Sequence, residues 1–113
     1  MHKGPAGFGL PLPVDVAEQN GQLALAVRRE NSPSMWQADW ARAIYESRPG
    51  PYGGLVFDLR HLHHPCSSFF SGSLWLHQAY GLVDKRIALQ NAGERVRAVV
   101  EVLHVHDFFV LRA

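Results

Sequence analysis

Apolar and polar positions alternate along this chain with two periods, and the period changes at recognisable punctuation. Leu10, Leu12, Val14 and Val16 recur at every second position, the spacing of a half-buried strand. Leu23, Leu25 and Val27 do the same after Asn20 and Gly21. Both of those turn residues tolerate positive φ, so the two runs are expected to form an antiparallel hairpin. A helix then opens near Ser32, Pro33 and Ser34, where Ser34 to Gln37 has capping-box spacing and Pro33 also suits a first helical position. Trp36, Trp40, Ala43 and Ile44 mark its buried face, and Pro49, Gly50 and Pro51 stop it.

Leu55 to Leu59 is a near-continuous apolar run, which predicts a central strand covered on both faces. A second helix is expected from about Ser67 to about Leu82, and a strand over Arg86 to Leu89. Asn91 to Glu94 again has capping-box spacing, and Val96, Val99, Val100 and Leu103 form an i, i+3, i+4, i+7 stripe on a third helix. Phe108 to Leu111 closes the series as a last strand. The order is β-β-α-β-α-β-α-β, an α/β class whose natural packing is a four- to five-stranded mixed sheet with helices.

With 113 residues there is room for one core. The expected organisation is a Gly- and Pro-rich arm over residues 1–7 and a single domain over 8–113. A net charge of +1, with Lys and Arg scattered in short pairs, supplies no basic stripe, so nucleic acid is not an expected partner. Cys66 is the one cysteine, so no internal disulfide can form, in keeping with a reducing cytoplasmic setting. The start of the chain does not read as a signal peptide, and no run approaches the roughly 18 apolar residues of a membrane span.

The element order and two local patterns resemble the STAS domain, the fold of bacterial anti-sigma factor antagonists. In that family a strand ending in Asp-Leu leads through a short turn to Asp-Ser-Ser/Thr-Gly and a helix. Leu55 to Leu59 matches the strand, and Cys66, Ser67, Ser68 and Phe69 fall where the tetrad belongs, with Cys66 in place of Asp and Phe69 in place of a small residue. Lys85 to Asn91 resembles the next strand and turn, and Arg95 to Phe109 the third helix and closing strand. The resemblance spans roughly residues 10–111. It implies a non-catalytic docking module in a partner switch that regulates transcription: the unmodified form binds an anti-sigma factor, itself a serine kinase, and phosphorylation breaks the complex. Ser68 is the implied acceptor, with Ser67 beside it. A hydroxyl at a helix start suits an added anion, and the phosphate brings charge to a surface that otherwise packs against a partner.

Other chemistry is weighed against that reading. Ser67 and Ser68 are also ordinary helix caps. Cys66 sits after a strand and before a helix, as the thiolate of a rhodanese or tyrosine phosphatase does, but Phe69 and Phe70 follow it and the next Arg is Arg86. His61, His63 and His64, and the pair His104 and His106, lack supporting Cys or carboxylate spacing and are expected to be solvated; no metal or other cofactor is expected. Trp75 is one position off the Leu74 line, so it is expected to be partly exposed, and with Cys66 and Phe69 it forms the expected docking contact. No small-molecule substrate and no membrane insertion are expected. The alternatives are a STAS subunit that is never phosphorylated, such as one on a bacterial lipid-transport ATPase, and a small thiol enzyme using Cys66.

Overall fold

The computed structural model describes residues 12–37 and 39–112; the expected arm over 1–7 and the expected strand start at Leu10 lie outside them. Within that span the chain runs β1 Val14–Gln19, β2 Gln22–Val27, α1 Pro33–Gln37, α2 Trp40–Ser47, β3 Leu55–Asp58, α3 Ser67–Ala79, β4 Ile87–Gln90, α4 Glu94–Val102 and β5 Phe109–Arg112. The strands form a five-stranded mixed sheet in chain order, β1-β2-β3-β4-β5. β1 and β2 are antiparallel, and every later pair is parallel.

The hairpin follows from its turn. Asn20 and Gly21 adopt φ of 55° and 78°, the paired left-handed conformation that matches strand twist, and Gln19 therefore pairs with Gln22. From β2 onward each parallel step moves one strand across in the same direction. Right-handed crossovers then put all the connecting helices on one face. Leu23, Leu25, Leu55, Phe57, Ile87, Leu89 and Phe109 look toward those helices and form the core with Trp36, Ile44, Phe69, Leu76, Val96 and Val100. β3 is central, but it is not covered on both faces as its apolar run predicts: Val56 and Asp58 are only half-buried, because they look away from the helices.

Five local expectations are corrected. The first helix is two: Asp39 has ψ of 57°, outside the helical range, so α1 ends at Gln37 and α2 starts afresh at Trp40. Trp36 and Trp40 still meet edge to face across the break, with centroids 4.9 Å apart. Pro33, not Ser34, opens α1, so the Ser34–Gln37 box does not form. α3 stops at Ala79 because Gly81 turns left-handed and the Leu82 amide closes back on the His77 carbonyl, a Schellman ending. At α4 the N-cap is Gly93; Asn91, at φ 58°, instead donates to Asp58. Of the stripe on α4, Val96 and Val100 are fully buried and Val99 packs against the core, but Leu103 lies past the helix end and is 52% exposed. Among the described residues no helix is long and apolar enough to cross a membrane.

Candidate functional site

α3 begins at the carboxyl end of central β3, and its first turn carries the residues that the sequence singles out. Cys66 is the N-cap in extended conformation, but its thiol makes no capping bond; its carbonyl accepts the Phe69 amide at 3.1 Å. The sulfur is free and half-buried against the core. Ser67 is exposed and Ser68 half-buried. The Ser68 carbonyl accepts the Trp40 indole N–H at 3.2 Å and, more weakly, the Ser71 hydroxyl at 3.5 Å. That indole bond ties the start of α3 to α2.

Phe69 is not a docking residue. It is 0% exposed, with Trp36, Phe57 and Phe70 edge-on around it at 5.4, 5.4 and 4.9 Å. The reason is helical geometry: three residues past the N-cap of a helix laid on the sheet, its side chain points down into the core. Cys66 and Trp75 remain at the surface in part. Trp75 is 37% exposed, with Tyr45 edge-on at 5.8 Å and the Arg42 guanidinium 5.6 Å from its ring centroid, a cation–π arrangement.

Between α2 and α3 lies an open cleft of about 340 Å³, lined among others by Trp36, Asp39, Arg42, Ser68, Ser71 and Trp75. Arg42 and Asp39 form an exposed pair at 3.6 Å, of a kind worth at most about 1 kcal/mol and easily re-partnered. The two helices can approach this closely because of Gly72: a Cβ there would meet the Trp40 ring at 2.5 Å. Trp36 is 2% exposed, and its indole nitrogen has no partner among the described residues, an omission that typically costs about 1–3 kcal/mol. Sequence reasoning did not find Arg42, Ser71 or Gly72 as parts of this site. The one available signal was a glycine inside a helical run, which marks close approach of a neighbour.

The remaining candidates scatter. β3 ends at Asp58, so His61 and His63 lie in the following turn and share no strand face. His64 meets Arg95 at 2.9 Å. His77 is buried and bonded to the Lys85 carbonyl at 2.6 Å. Among the described residues no three His, Cys, Asp or Glu side chains gather as a metal site. Asp58 accepts Asn91 at 3.0 Å and the Arg60 amide at 3.0 Å. Desolvation pushes its carboxyl up, but those bonds and the nearby Arg60 guanidinium and His61 ring outweigh it and hold the group below the usual carboxylate range. No family model and no curated protein matches the chain.

Proposed function

We propose that this chain is a STAS-like anti-sigma factor antagonist, a cytoplasmic bacterial docking module rather than an enzyme, whose partner is a kinase-type anti-sigma factor. The observation that carries the reading is the position of Ser67 and Ser68. They occupy the first turn of α3, and Ser68 lines a cleft that also offers Trp75 and Arg42. Aromatic and Arg side chains are the residues that dominate binding energy at protein interfaces.

In this reading the α2–α3 surface meets the anti-sigma factor, and phosphate on Ser68, with Ser67 as the neighbouring hydroxyl, ends the complex. The unpaired amides of the first turn accommodate the modification, while the added charge must be desolvated or repelled at the interface. A constitutive docking subunit is the second reading, favoured by Cys66 where the family tetrad has Asp.

Calorimetry against the anti-sigma factor kinase of the same genome tests the switch. Ser68→Ala should bind like the parent, and Ser68→Asp should bind about tenfold or more weakly. Gln78→Glu, an exposed charge change near the far end of α3, should bind like the parent. Equal affinities for all of these proteins would remove the switch and leave the constitutive reading; no binding by the parent would remove the partner.

A further inference from the structure

The second face of the sheet carries a pattern of its own. Strand registers align Ala17, Ala24, Val56, Ala88 and Val110 in one unbroken row across all five strands. The adjacent row on the same face reads Asp15, Ala26, Asp58, Gln90 and Arg112. Among the described residues the helices all lie on the other side, and Asp15, Ala17, Ala26 and Arg112 are exposed. A shallow groove of about 360 Å³ runs over this face, bounded by Asp15, Gln22, Val56, Gln90 and Arg112. Surface strand positions normally carry β-branched or charged side chains; a row of small apolar ones lets another backbone come close.

We propose that a second copy of the chain docks here, sheet against sheet, about a two-fold axis parallel to β3. The charges point to that occupant. The polar row starts with an acid at the β1 edge and ends with a base at the β5 edge. A two-fold axis along the strands exchanges the edges, so Arg112 of each copy lies over Asp15 of the other. Asp15 is free to take it: its side chain is 78% exposed and its contact with Arg28 is long, at 3.9 Å. The same operation sets Ala17 against Val110 and Val56 against itself, and lays Ala24 over Ala88, which is only 4% exposed and forms the floor of the row. Asp58 falls near the axis opposite its own copy, and Arg60, at 3.6 Å, is its counter-ion. Sheets of like twist pack face to face at about −30° with roughly 10 Å between them, a spacing that small side chains permit.

Area sets the strength. The five strands, two of six residues and three of four, lie about 4.8 Å apart and make a patch of about 380 Å², or about 760 Å² for both copies. That is smaller than the standard specific interface, so the dimer is weak and rapidly reversible. It goes beyond the docking reading and does not depend on it, because the α2–α3 surface stays free on each copy.

Equilibrium sedimentation of the full chain is the test. The parent should be a reversible dimer with a Kd in the high micromolar range. Asp15→Arg and Arg112→Asp should each weaken it about tenfold, and the double reversal should restore it. Ala24→Arg should be monomeric, with thermal melts verifying that each variant is folded. A parent that stays monomeric into the millimolar range, or single reversals that weaken without rescue by the double, would overturn the proposal. Binding of the anti-sigma factor kinase by Ala24→Arg, unchanged from the parent, would show that any failure here is separate from the α3 site.

Discussion

Gly72→Ala sets two magnitudes of opposite sign against each other. Inside a helix, Ala is intrinsically better than Gly by about 1 kcal/mol, so an isolated α3 would gain. In the folded protein the new methyl would sit 2.5 Å from Trp40 Cζ2 and 2.7 Å from its Nε1. The indole cannot swing away cheaply, because it is 2% exposed and boxed by Trp36 and Phe57 at 4.9 and 6.3 Å. Overpacking of this sort costs about 1–3 kcal/mol, and displacing the ring also strains its bond to the Ser68 carbonyl, worth about 1 kcal/mol. The net is a loss of about 2 kcal/mol, or a fall in Tm of about 8 °C for a domain of this size. Differential scanning calorimetry reads it directly. A double-mutant cycle with Trp40→Phe, which removes the offending ring edge, should recover about 1 kcal/mol of the loss. If Gly72→Ala melts at or above the parent temperature, propensity has won and the helices are not in contact here.

Two further outcomes follow from burial and charge. Val96→Asp should abolish the fold in a urea titration, because it places an unpaired charge at a position with 0% exposure, whereas Leu103→Asp should shift stability by no more than about 0.5 kcal/mol. Burial, with Tyr52 and Tyr45 nearby, pushes the Tyr80 hydroxyl up to about 12 from 10.0, and that hydroxyl donates to the Arg48 carbonyl at 2.7 Å. A raised folded-state value means that its contribution is complete below pH 10 and lost as pH rises through about 12. Tyr80→Phe should therefore be less stable than the parent at neutral pH, by about 1 kcal/mol, with the gap closing across that window; a gap that stays constant would refute the assignment.

Local signals in the sequence found the elements that local physics controls. The Asn20–Gly21 turn, the alternation of Leu23, Leu25 and Val27, and the burial of Val96 and Val100 were all legible, because each is decided within a few residues. The break at Asp39 was not, since the apolar spacing from Trp36 to Ile44 is helical throughout and the two Trp side chains pack together across the interruption. Asn91 was read as a cap although its amide has a partner 33 residues away in Asp58. Of the site, the surface position of Trp75 was legible from its helical phase, but the role of Phe69 was not: a residue flanking a functional pair and a residue filling the core look alike until the helix is laid on the sheet. The row of alanines was hidden for another reason. Ala17 and Ala24 are unremarkable singly and become a surface only when register brings them side by side next to Val56.

Because strand order equals chain order, the sheet can be assembled in the order of synthesis. Among the described residues no strand has to insert between two that are already paired, and each added strand can dock on the edge left by the one before. The hairpin needs the shortest loop to close, whereas each parallel addition must wait for its crossover helix to emerge and close a longer one. During synthesis the growing edge is therefore always the most recently made strand, exposed for as long as the next helix takes to appear. The last of these, Phe109–Arg112, has no successor among the described residues, and it keeps its outer edge open with Arg112 at its end. A charged terminal residue on a four-residue strand is the kind of feature that discourages unwanted edge pairing.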